Sequence, residues 1–239
     1  MVSQSKIDEV KQNVRDIIDI AKKSALDSSR NPDDIKIMAV TKTVDPELVN
    51  VAIDCGIKLL GENRVQELLS KYDFYKKDNV EIHFIGSLQT NKVKYIIDKV
   101  SMIHSVNSLK LANEINKQAK KHNIIMDILI EVNIGGEDSK SGISPTEIYS
   151  LLEDISHLSN VKVKGLMAIP PICEKDEQIK HYFDNMYQLF IDIKAKKLDN
   201  IDMNVLSMGM SHDYNIAITS GSTLVRVGSK MFGSRIYNI

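Results

Sequence analysis

Short apolar, β-rich runs alternate with longer helical patterns along this chain from end to end. The first helical pattern, residues 6–28, sets Ile7, Val10, Val14, Ile17, Ile18 and Ala21 at three- and four-residue spacing, an amphipathic stripe. Asn31-Pro32-Asp33-Asp34 breaks it, and residues 37–41 read as a buried strand. Asp45 and Pro46 have the chemistry of an N-cap and a first helical residue, and Gly56 closes that helix before a strand run at 58–61. Further strand patterns fall at 82–85, 102–106, 128–133, 163–167, 205–208 and 224–227, with helical patterns at 65–72, 91–99, 109–122, 145–158, 176–197 and 212–219. A strand–helix–strand alternation predicts a parallel sheet, because only a crossover lets consecutive strands run the same way. Eight such units in 239 residues fit a closed (β/α)8 TIM barrel. An open doubly wound sheet is the alternative, but no GxGxxG follows the first strand and no composition break divides the chain. The expectation is one domain over residues 1–239.

Composition narrows the function classes. The chain is 43% hydrophobic and 26% charged, with a formal net charge of -1, 5% aromatics and no Trp. That balance lacks the basic footprint of a nucleic-acid binder. No run approaches the ~20 apolar residues of a spanning helix, and the start opens into a charged amphipathic pattern, so no membrane attachment is expected. Cys55 and Cys173 are far apart, and the histidines never fall at HxH or HxxxH spacing, so neither a disulfide framework nor a metal site is expected. These features suit a reducing cytoplasm.

In a (β/α)8 barrel the chemistry sits at the C-terminal strand ends, with phosphate often bound after strands 7 and 8. Strand 1 ends in Thr41-Lys42-Thr43. A lysine there is either a solvated strand exit or a partly desolvated amine, whose lowered pKa supplies the neutral form that condenses with an aldehyde. Strand 7 ends in Leu206-Ser207-Met208-Gly209-Met210-Ser211, where Ser211 reads as an N-cap or as part of an anion site. Strand 8 exits through Gly228 and Ser229, and two adjacent loops offering Gly and Ser suggest a phosphate cradle. Arg226 lies inside an apolar strand, so it is paired within the barrel or faces a ligand. Asn63 lies at the mouth or caps the following helix, while His83 and His104 read as packed core histidines. The glycine-rich stretch 135–142 reads as a surface loop, and the Lys175–Lys197 region as a solvated helix face. A reactive amine beside a phosphate cradle suits pyridoxal 5'-phosphate, and equally a sugar-phosphate aldolase.

The stretches AVTKT (39–43), GENRVQE (61–67), HFIGSLQTNK (83–92), HSVNS (104–108), GLMAI (165–169), LSMGMSHD (206–213) and GSTLVRVGSKMFGSR (221–235) run in order across nearly the whole chain. In them the chain resembles the pyridoxal phosphate homeostasis proteins, whose fold is the alanine racemase N-terminal-like barrel of fold-type III PLP proteins. The resemblance implies that Lys42 forms the internal aldimine, that Ser211, Gly228 and Ser229 hold the phosphate, and that Arg226 faces the pyridine nitrogen. It also implies that Asn63 and Met208 lie near the cofactor. Ser87, Asn215 and Lys230 depart from the commonest family pattern, and Lys230 introduces a charge next to the expected phosphate site.

An arginine beside the pyridine nitrogen disfavours its protonation and weakens the ring as an electron sink. Racemases with such an arginine also take a tyrosine base from an additional C-terminal β-domain. This sequence ends at Ile239, directly after the last barrel segment, so that domain is not expected. The resulting expectation is a monomeric PLP-binding protein of vitamin B6 and amino/keto acid balance rather than a catalyst. A PLP-dependent enzyme acting on a small amino acid is the alternative.

Overall fold

The structure, a computed structural model, describes residues 2–137 and 140–233. Asp138 and Ser139 of the glycine-rich stretch, and the end of the last family-like motif at 234–235, lie outside the described residues. Eight strands close into a barrel in sequence order: β1 (Lys36–Val40), β2 (Leu59–Glu62), β3 (Glu81–Phe84), β4 (Met102–Val106), β5 (Met126–Val132), β6 (Val161–Ala168), β7 (Ile201–Ser207) and β8 (Leu224–Val227). Every neighbouring pair is parallel, and β8 returns to β1 through Ile37 opposite Val225 and Met38 opposite Arg226. That closing ladder excludes the open doubly wound sheet.

The helices are α1 (Gln4–Asp27), α2 (Pro46–Asp54), α3 (Val65–Lys71), α4 (Leu109–Lys121), α5 (Ile148–Ser156), α6 (Asp176–Lys196), α7 (Tyr214–Thr219) and α8 (Ser229–Phe232). α1 buries Val10, Val14, Ile17 and Ala21 of the apolar stripe read from its sequence, and Ala25 beyond it, while Ile7 and Ile18 are partly buried at its margins. Asp45 caps α2 by accepting the Glu47 N–H at 2.8 Å, and Pro46 occupies the first turn. Among the described residues no helix is long and apolar enough to cross a membrane.

The helical pattern at 91–99 resolves differently. Residues Thr90–Tyr95 form a 3-10 helix, and Val93, Ile96 and Ile97 are still fully buried. The apolar phase was legible, but this short crossover closes with i→i+3 bonds, Lys92 N to Gln89 O and Ile96 N to Val93 O. α5 starts three residues after Pro145, because Ser144 Oγ and Ser144 O hold a turn through the Thr146 and Glu147 N–H groups.

Side-chain alternation divides the core in two. On β1, Met38 and Val40 join Leu59, Ile85 and Leu224 inside the barrel, while Ala39 belongs to the larger cluster beneath the helices. Each large aliphatic or aromatic side chain fully buried in this way contributes roughly 1.5–3 kcal/mol. Where β6 meets β7 the register shifts between Val163 and Gly165. A Cβ on Gly165 would lie 1.8 Å from the Val205 carbonyl oxygen, so only glycine allows this close approach.

Candidate functional site

The C-terminal strand ends surround a cavity of about 270 Å³, at the lower edge of the roughly 300–1,000 Å³ usual for small-molecule sites. Its walls come from Val40 at the end of β1 and Lys42 after it, Asn63 after β2, Ile85 after β3, Ile169 after β6, Met210, Ser211 and His212 after β7, and Arg226, Gly228 and Ser229 at β8. Six of the seven residues expected from the sequence therefore converge on one hollow. A larger hollow of about 620 Å³ lies by the N-terminal strand ends. There Arg30 is already engaged, its Nη1 donating to the Ile218 and Ser222 carbonyls at 2.7 and 2.8 Å.

Met208 is the expected residue that does not reach the cavity. It is fully buried with Leu206, Ala217 and Ile218 in the layer beneath the helices. The period of two explains this: Ser207 points into the barrel, so Leu206 and Met208 point out. Met210, two residues on, lines the mouth instead.

Lys42 is half-buried at the exit of β1. Beneath it lies a polar layer that the sequence reading missed. Glu62 is fully buried and accepts hydrogen bonds at Oε1 from Thr41 Oγ1 at 2.7 Å and from the Tyr75 hydroxyl. Burial pushes the Glu62 carboxyl up, against the pull of those two donors, and burial beside Glu62 raises the Tyr75 phenol. Lys71 Nζ donates to the Thr41 carbonyl at 3.0 Å and pairs with Glu67, which also accepts the Thr43 N–H. Burial alone would raise Glu67, but Lys71 and the Thr43 N–H outweigh it and hold the carboxyl low. The residues on both sides of Lys42 are thus pinned, which fixes where its side chain starts. A carboxylate at a strand end, in GENRVQE, was the available signal.

Arg226 is almost fully buried. Its Nη1 donates to Ser207 Oγ at 2.8 Å and its Nη2 to the Ala168 carbonyl at 3.0 Å. Burial pulls its pKa down to about 10, opposed by the charges of Asp213 and Glu131, so the group stays cationic near neutral pH. Burial raises both of those carboxyls, and Arg226 draws them back. Glu131 sits in the apolar run of β5 as Arg226 sits in that of β8, so the same sequence rule would have found it.

Ser211 does not cap its own helix. α7 starts at Tyr214, behind a turn in which Asp213 accepts the Met210 N–H. Ser211 Oγ instead crosses to the next loop and accepts the N–H groups of Gly228 at 3.1 Å and Lys230 at 3.3 Å. Two acceptor sites are thereby filled, which leaves the Ser211 O–H to donate. Asn63 Oδ1 is buried without a hydrogen-bond partner among the described residues. A ligand with hydrogen-bonding groups at this end would satisfy both. Ser87, Asn215 and Lys230, the departures from the family pattern, are all exposed, and none lines the cavity. The Lys230 ammonium lies 5.1 Å from the Tyr214 ring centroid.

Residues 7–236 match the family model for the alanine racemase N-terminal domain. The pyridoxal phosphate homeostasis protein of Aquifex aeolicus is 45% identical over 221 residues, 92% of this chain and 96% of that protein. A protein of unknown function from Bifidobacterium adolescentis superposes with a TM-score of 0.92 at 30% identity, covering 97% of this chain and 98% of that one. The structure of PipY from Synechococcus elongatus with PLP bound gives a TM-score of 0.79 at 27% identity, covering 90% of this chain and all of that one.

Proposed function

We propose, for a chain that belongs to the alanine racemase N-terminal domain family and within it to the pyridoxal phosphate homeostasis proteins, that it binds pyridoxal 5'-phosphate reversibly as a carrier or buffer and does not turn over amino acids. The observation that carries this reading is the convergence of Lys42, Arg226, Ser211, Gly228 and Ser229 on one cavity at the mouth of the barrel. Pyridoxal 5'-phosphate would supply an aldehyde carbon there, open to a neutral lysine amine with water as the leaving group. Lys42 would provide that amine. The Ser211 and Ser229 hydroxyls would hold the phosphate, Arg226 would meet the pyridine nitrogen, and Asn63 would take a polar group of the ring.

The pairing with Arg226 favours a holder over a catalyst. A guanidinium opposite the ring nitrogen keeps that nitrogen unprotonated, which weakens stabilisation of a carbanion. Removal and return of a proton on opposite faces also takes two bases. Among the described residues lining the cavity only Lys42 and His212 are candidates, and His212 is exposed at the rim. Incubation of the PLP-loaded chain with a panel of amino acids tests the reading. No racemisation, transamination or decarboxylation above the background of free PLP is expected, and turnover that disappears in Lys42→Ala establishes a small-amino-acid enzyme instead.

A further inference from the structure

Two buried histidines inside the barrel form a directed file that the binding site itself does not use. Glu81 stands at the N-terminal end of β3 with its side chain half exposed, and its Oε2 lies 3.2 Å from His83 Nε2. His83 Nδ1 lies 2.9 Å from His104 Nε2. Both rings are buried, and His104 Nδ1 has no hydrogen-bond partner among the described residues.

The protons in this file can be placed by elimination. An ionised carboxylate only accepts, so His83 Nε2 carries a hydrogen and, in the neutral ring, His83 Nδ1 is an acceptor. His104 Nε2 must then donate to it, which leaves the lone pair of His104 on Nδ1. Burial, His83 and Arg226 all press His104 toward its neutral form. The charged groups acting on His83 are Glu81 on its own strand, Lys36 on β1 and Asp127 on β5; those acting on His104 and Arg226 add Glu131 and Asp213.

We infer that Glu81, His83 and His104 are positioning residues that lock one imidazole tautomer, so that an exposed carboxylate at one end of the barrel fixes whether the buried His104 Nδ1, within electrostatic reach of Arg226, carries a lone pair or an N–H. The guanidinium itself is held by Ser207 and the Ala168 carbonyl. Reversing the tautomer reverses the dipole of the ring, and with it the sign of its interaction with the Arg226 charge. The role in cofactor binding rests on the pyridoxal phosphate reading, whereas the tautomers can be measured without any cofactor.

Long-range 1H–15N correlation spectra of the cofactor-free chain read the tautomers directly. His83 and His104 are expected as neutral rings protonated at Nε2; a His104 protonated at Nδ1 overturns the inference. In Glu81→Gln the carboxylate is lost at a half-exposed site where the nearest cation, Lys36, is 4.0 Å away, so the melting temperature should barely move. The two tautomers should then mix, and PLP affinity should change about threefold to tenfold, with a shifted visible band. Unchanged tautomers, or an unchanged PLP titration and spectrum, contradict the role. A wild-type chain that takes up no PLP overturns the cofactor reading, and with it the effect on binding, independently of the tautomer result.

Discussion

Ser211 and Gly228, on loops that follow different strands, are joined by a 3.1 Å hydrogen bond in which the serine hydroxyl accepts the glycine N–H. With the Lys230 N–H as second donor, this contact ties the two loops on which a phosphate would rest and turns the serine proton outward. The preformed geometry spares a ligand the entropy of ordering these loops.

Ser211→Ala removes the outward donor and unpairs two N–H groups. Loss of a hydrogen bond to a charged group costs about 1.5–3 kcal/mol, which predicts that PLP binds roughly 10- to 100-fold more weakly. Pyridoxal, which has no phosphate, should bind within about twofold of wild type. Titrations of the two vitamers read the difference, and an equal loss for both would place the serine's role elsewhere.

Gly86 follows β3, and a Cβ on it would lie 2.0 Å from the Asn63 carbonyl oxygen. Gly86→Ala must therefore displace the β2 loop that carries Asn63 into the cavity. A stability loss of about 1–3 kcal/mol is expected, together with weaker PLP binding. Thermal melts with and without PLP measure both. A variant that melts and binds like wild type would mean that the two loops move apart freely.

Acid should weaken the fold earlier than carboxylate titration alone requires. Burial lowers the pKa of His83 and His104 in the folded chain, while the unfolded chain takes up protons below the ordinary histidine value of 6.5. Their contribution is complete above that value and is lost as the pH falls through the window beneath it, at no more than about 1.4 kcal/mol per pH unit for each. The buried carboxyls Glu62, Glu131 and Asp213 act oppositely, because their raised pKa values let the folded chain take up protons first. Denaturant unfolding of wild type and His104→Gln between pH 7.5 and 5.5 should show a shallower pH slope in the variant. Parallel slopes would mean that His104 is not held neutral.

Barrel order and most of the site were legible because both follow from local chemistry. Apolar runs gave the strands, caps such as Asp45 gave helix starts, and a charge within an apolar strand exposed Arg226. What escaped depends on which way a side chain points or on which distant chain it meets. Met208 faces the helices because Ser207 faces the barrel, and no residue type announces that phase. Ser211 has the chemistry of a helix cap but spends it on the neighbouring loop. Tyr75 and Glu62, thirteen residues apart, meet only because a helix folds back over β2. His83 and His104 were readable as buried histidines, but their mutual contact depends on the register in which β3 pairs with β4.

Covalent trapping on Lys42 tests the central claim most directly. The purified chain is incubated with PLP, its absorbance is recorded before and after borohydride, and its peptides are mapped by mass. A visible band that bleaches, with a pyridoxyl adduct on Lys42 that is absent from Lys42→Ala, is the predicted result. No band and no adduct in excess PLP, or an adduct confined to surface lysines and unchanged in Lys42→Ala, would contradict it.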